Sequence, residues 1–273
     1  MALVVALGTV ERISKGGTRD CVTERPERVR RGATARTARR PVGPCRRAGR
    51  YTPLLMTVAA VILSATAEGA LADTLGQPRV RRLVDLAWSG GAMPIVVLSP
   101  DPNGAVAASL AGSEAIHGYS APSETGPVGQ MLRGAELAQA EVRDTSAVLL
   151  WPAQMTWVGP ETVTSLIEAH GSDRTRVLRP AWRGEAGWPV LVPVAHLGAL
   201  RAIAPDLTPP AIIDALVATL PSRLLEVGDP GVTHNAATAP ADLPAYEGPP
   251  DPPPGHTHEW GADVATAAGL TDP

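Results

Sequence analysis

The sequence predicts a three-layer α/β fold on a mostly parallel sheet, and three observations carry that prediction. Charge-free β-branched and aliphatic runs such as Thr57 to Leu63 (TVAAVIL) suit strands buried on both faces. Such runs alternate with segments of helical period. A hydrophobic fraction of 44% over 273 residues supplies a sizeable core, which must be aliphatic because Phe is absent. No internal repeat is visible.

Thr57 to Leu63 is the first strand, and Ser64 to Asp73 reads as a loop of small residues with one glycine and no cation. In open α/β sheets this loop faces the ligand crevice, and glycines there let backbone N–H groups approach phosphate. Pro78 to Trp88 places Val80, Leu83, Val84 and Ala87 on one helical face and ends at Gly90-Gly91. Met93 to Ser99 is a second buried strand, Asn103 to Leu110 a short helix and Ala115 to Tyr119 a short strand. Gly126 to Ala140 reads as a loop entering a helix, and Ser146 to Trp151 as a strand. Pro160 to His170 carries Pro and Glu in its first turn and closes at Gly171. Strands at Arg176 to Arg179 and Trp188 to Val194, helices near Ala195 to Ile203 and Pro209 to Leu220, and a last strand near Leu224 to Val227 complete the domain.

The ends differ from the middle. Residues 1–55 hold 13 basic and 4 acidic side chains, which leaves 11 basic and 23 acidic for the rest. The leader is Arg-rich, poor in apolar residues and broken by Pro and Gly, so it cannot bury enough surface to fold alone. It reads as a basic arm, a targeting segment or an over-extended start with the protein beginning at Met56. The third is the expectation adopted, with no nucleic acid as partner. The run Ala2 to Leu7 is too short for a membrane span, so no membrane contact is expected and the location is read as cytoplasmic. Cys21 and Cys45 both lie in the leader, leaving the remainder without a disulfide or thiol nucleophile. Residues 244–273 form a Pro-rich tail that rules out regular helix or central strand. His256 and His258, with Glu259, have a spacing that could ligate a transition metal on extended chain, although without a third fixed ligand a docking or dimer-contact role for the tail is equally open.

Five segments resemble the MobA-like NTP transferases, the nucleotidyltransferases of the molybdenum cofactor. Val61 to Ala65 stands where the family has its L-A-A-G opening, with Leu75 to Pro78 as its G-x-P-L helix start. Met131 to Ala135 stands on the S-L-x-x-G helix. Ala153 to Val163 (AQMTWVGPETV) is similar to G-D-M-P-x-V-x-P-E-x-V, and Gly184 to Leu191 (GEAGWPVL) to G-x-x-G-H-P-V-L. The resemblance covers roughly Met56 to Leu243. It implies a Rossmann-like nucleotidyltransferase fold that transfers CMP or GMP from CTP or GTP, with Mg²⁺, to a molybdopterin-like acceptor.

The departures fall on the chemistry. The family's phosphate-loop glycine is Thr66, its Arg is about Ala70, its Lys falls near Asp73 to Leu75, its metal-binding Asp is Gln154, and the His of its last segment is Trp188. Neutral Gln154 offers Mg²⁺ one carbonyl oxygen and no carboxylate charge, so it is at most a weak metal ligand. Candidate nucleotide-binding residues are Leu63, Ser64, Ala65, Thr66, Gly69 and Arg133; no catalytic residue is assigned. Glu68 and Asp73 are read as a cation-binding pair or as solvated acids, and Trp151, Trp157 and Trp188 as pocket or packing residues. Core or surface roles are the default for His117, His170, His196 and His234. Two functions stand: a nucleotidyltransferase with altered residues, or a catalytically inactive scaffold or regulator that meets a protein partner in molybdoenzyme maturation. A glycosyltransferase would want a D-x-D motif after a strand, and Asp101-Pro102-Asn103 is a poor substitute.

Overall fold

A computed structural model of the protein describes residues 57–248. The expectations for the basic leader with its two cysteines, and for His256, His258 and Glu259, fall outside these residues.

The charge-free run forms β1 (Thr57–Leu63), buried along its centre. The predicted loop from Ser64 to Asp73 is corrected here, because it contains the helix α1 (Ala67–Leu71). Thr66 caps that helix by accepting from the Gly69 amide at 2.9 Å, and Glu68 sits favourably in its first turn. The strands β2 (Asp73–Thr74) and β3 (Gln77–Pro78) pair as a small hairpin over Leu75-Gly76. The next helix, α2 (Arg79–Ser89), buries Val80, Leu83, Val84 and Ala87, as the spacing predicts. Each Val or Leu buried this way contributes about 1.5–3 kcal/mol.

β4 (Ile95–Leu98), α3 (Ala105–Ser109) and β5 (Ala115–Gly118) follow, close to prediction. The segment expected to begin as loop is helical from its first residue: α4 (Gly126–Glu141), with Pro127 in the opening turn where its missing N–H costs nothing. Then come β6 (Thr145–Pro152) and α5 (Pro160–Ser172). β7 (Val177–Trp182) runs past its predicted end at Arg179. Pro180 lacks a donor but still contributes its carbonyl, which accepts from the Gly187 amide at 2.7 Å. Arg183 and Gly184, at φ 52° and 80°, make the two-residue turn into β8 (Glu185–Ala186). β9 (Val190–Pro193), α6 (Leu197–Leu200), α7 (Pro209–Thr219) and β10 (Ser222–Glu226) complete the set.

The sheet order is β10-β7-β9-β6-β1-β4-β5, with β8 paired to β7. β1 lies parallel between β4 and β6, and β9 is antiparallel to both neighbours, so the sheet is mostly parallel. α2 packs beside α5, while α4 packs with α6 and α7, giving the helix layers predicted. The chain builds outward from β1 through β4 to β5 and then returns to β6 on the other side. That reversal opens a crevice at the carboxyl ends of β1 and β6.

After β10 the chain runs back over the domain without regular helix or strand, only short 3₁₀ turns. Ala236 donates to the Gln154 carbonyl at 2.7 Å and Glu247 to the Gly228 carbonyl at 2.9 Å. No described helix is long and apolar enough to cross a membrane.

Candidate functional site

A cavity of about 530 Å³ sits in the crevice at the carboxyl ends of β1, β4 and β6. The Ser64 amide donates to the Leu98 carbonyl at 2.9 Å and the Ala153 amide to the Leu63 carbonyl at 2.8 Å. These bonds carry the ladder past the strand ends, so the loops after β1 and β6 leave the sheet together and face each other. Leu63, Leu98 and Met131 give the cavity apolar surface; Ser64, Ala65, Thr66 and Gly69 form one rim, and Ala153 and Gln154 another. Six of the seven sequence-predicted residues, Leu63, Ser64, Ala65, Thr66, Gly69 and Gln154, therefore meet at one cavity.

The loop after β1 spends much of its polarity on itself. Ser64 Oγ donates to the Thr66 carbonyl at 2.9 Å, and the Thr66 hydroxyl is the cap of α1. On the opposite rim the Gln130 side chain holds the Ala121 backbone twice, donating to its carbonyl at 2.8 Å and accepting from its amide at 2.9 Å.

Arg133 does not join the cavity. It lies half-buried in an adjoining groove with Tyr119 and Glu136. The cation in the wall is instead Arg79, at the first position of α2, which sequence reasoning missed. Its Nη1 donates to the Gly69 carbonyl at 3.2 Å, its Nε is buried without a partner, and no carboxylate among the described residues lies within 4.0 Å of it. The only signal was its place directly after Leu75 to Pro78, in a run, PRVRR, that resembles any solvated helix start.

The tryptophans are packing residues. Trp151 is fully buried and donates to the Met155 carbonyl at 2.8 Å; Trp188 is buried, and Trp157 donates to the Asn235 carbonyl at 2.9 Å. None of the three lines the cavity. Glu68 and Asp73 are exposed and also stand outside it. His170 is a core residue, His117 and His196 bond backbone carbonyls, and His234 packs against Trp182.

No Asp, Glu, His, Cys or Lys lines the cavity among the described residues, so its lining supplies no general base. Asp101 is committed to the start of α3, where the Ala107 and Val106 amides hold its carboxyl below the ordinary range against the opposing effect of desolvation. Asp229 is buried in its bonds to the start of α5. The donors left to a divalent ion are neutral oxygens of Gln154, Ser64 and Thr66. That set does not fit Mg²⁺, which relies on carboxylates beside substrate phosphates. Among the described residues no three His, Cys, Asp or Glu side chains gather to hold a metal ion.

Fold and crevice define the class: an open α/β protein with a crevice at the edge where the strand order reverses, the place where sheets of this class bind ligands. The chain belongs to the family of the MobA-like NTP transferase domain, which matches residues 63–220. Its fold is the Rossmann-like nucleotidyltransferase fold. The structure of Rv0371C from Mycobacterium tuberculosis H37Rv, a manganese complex, is similar at a TM-score of 0.50 and 17% identity, over 63% of this chain and 88% of that one. A nucleotidyl transferase from Methanothermobacter is similar at 0.49 and 19%, over 62% and 87%. No curated protein matches the sequence.

Proposed function

We propose that the cavity at the ends of β1 and β6 binds a nucleotide, and that nucleotidyl transfer there is weak or absent. The observation that supports this is an open cavity beside Gln154 whose lining among the described residues holds one guanidinium and no carboxylate. An α1 loop folded into the crevice would have favoured a closed, inert scaffold; the open volume favours retained binding. Phosphoryl transfer depends on neutralising charge on the transferring oxygens, and a site with one cation and no metal carboxylate does little of that. CTP or GTP as the nucleotide, and a molybdopterin-like compound as the acceptor, follow from the resemblance of the motifs.

The test is a pair of measurements on the full chain: calorimetric titration with CTP, GTP and their monophosphates, and pyrophosphate release on adding molybdopterin. Binding without release is the expected result. Release at a rate typical of transferases, on the order of 1 s⁻¹ or more, would refute the loss of transfer. No binding of either nucleotide or of its monophosphate would refute the nucleotide site and turn the search to protein partners.

A further inference from the structure

We infer that the ligand of this cavity carries a single phosphate group, that Arg79 holds it, and that no divalent cation takes part. The inference rests on the reading of the cavity as a nucleotide site and specifies the charge of the nucleotide: a nucleoside monophosphate.

Arg79 carries the first part. Its bond to the Gly69 carbonyl ties the guanidinium to the loop after β1, and its Nε is buried with no partner among the described residues. The guanidinium lines the cavity and is paired with no carboxylate among the described residues, so an anion in the cavity would meet its charge, and its planar fork suits phosphate oxygens.

Charge balance carries the second part. A triphosphate adds two further ionised groups, which other family members need cations and metal to offset. Here Arg79 is the one cation lining the cavity among the described residues, and the rest of the lining is largely apolar or neutral. Bringing uncompensated charge into such surroundings is strongly unfavourable. One phosphate, at about −1.5 to −2, is what a single guanidinium together with solvent at the open mouth balances.

The absence of lining carboxylates carries the third. Among the described residues no carboxylate lines the cavity to hold Mg²⁺ or to repel an anion that arrives without it. The volume of about 530 Å³ lies within the ~300–1,000 Å³ range of small-molecule sites.

The experiment is calorimetric titration of the full chain with CMP and GMP and with CTP and GTP, each in chelator and in Mg²⁺, for the wild type, Arg79→Gln and Arg79→Lys. One monophosphate is expected to bind equally well in chelator and in Mg²⁺, at least as tightly as its triphosphate. Arg79→Gln should weaken it by about tenfold or more, and Arg79→Lys should retain part of the loss. Triphosphate binding that is tighter and needs Mg²⁺ overturns this inference while the nucleotide site stands. No binding of any of the four overturns both. Full affinity in a folded Arg79→Gln removes Arg79 from the role; if that variant does not fold, the metal and phosphate dependence of the wild type still decides.

Discussion

The Thr162 hydroxyl donates to the Asp229 carboxylate at 2.7 Å, joining α5 to a residue 67 positions later in the chain. The same carboxylate accepts from the Gly159 amide at 2.8 Å and, through its other oxygen, from the Gly231 amide at 2.8 Å. It therefore ties the residue before α5 and the hydroxyl in the helix's first turn to the loop after β10. Asp229→Ala leaves these buried donors unmet and should lower unfolding free energy by about 2–4 kcal/mol. Urea unfolding with an unchanged m-value measures it, and a loss below about 0.5 kcal/mol would show that this tie is not needed.

Gly134 lets α4 approach β1. A Cβ built there would stand 2.2 Å from Val61 Cγ1 and 3.3 Å from Leu98 Cδ1. Gly134→Ala should cost about 1–3 kcal/mol through overpacking, and Val61→Ala in the same chain should recover part of it. Strict additivity of the two substitutions contradicts the contact.

His170 is buried, and its Nε2 lies 3.1 Å from Ser146 Oγ, which itself donates to the Thr57 carbonyl at 3.1 Å. With the serine proton committed, the imidazole donates through Nε2 and leaves Nδ1 unprotonated and without a partner. Burial first, and Arg174 second, push its pKa below the ordinary value of 6.5, against a smaller opposite effect of Asp173. The native state thus binds fewer protons than the unfolded chain below that value. Stability is complete above pH 6.5 and falls as pH drops toward the depressed pKa. Denaturation midpoints across this range should fall for the wild type and stay flatter for His170→Gln; equal slopes would contradict the assignment.

Gln154 stands at the cavity rim where the family motif places its metal-binding Asp. Gln154→Asp restores the carboxylate and should introduce Mg²⁺-dependent binding of CTP or GTP that the wild type lacks. Titrations of the two proteins in Mg²⁺ and in chelator compare them directly. Identical metal dependence in both proteins counts against the missing carboxylate as the cause.

The central strands and α2 were legible because burial on both faces and a helical stripe each leave a strong periodic signal, as at Thr57 to Leu63 and Val80, Leu83, Val84 and Ala87. The motif around Gln154 located one rim of the cavity. The short helix α1 was not legible, since five residues carry no period, and Thr66 announced it only through its capping role. The reversed direction of β9 was hidden because an apolar run has no polarity. The placing of Arg133 failed on rotation about α4: Gln130 and Met131 reach the cavity, while Arg133 turns to the groove of Tyr119. Arg79 was missed because a cation at a helix start has the same sequence signature whether it meets water or a ligand.

The most direct measurement is a crystal structure of the protein soaked with CMP or GMP in chelator. The account predicts the nucleotide in the cavity between Ser64 to Gly69 and Gln154, with its phosphate within hydrogen-bond distance of Arg79 and no metal beside it. A nucleotide seated in the Arg133 groove, or a cavity left empty at saturating nucleotide, would contradict it.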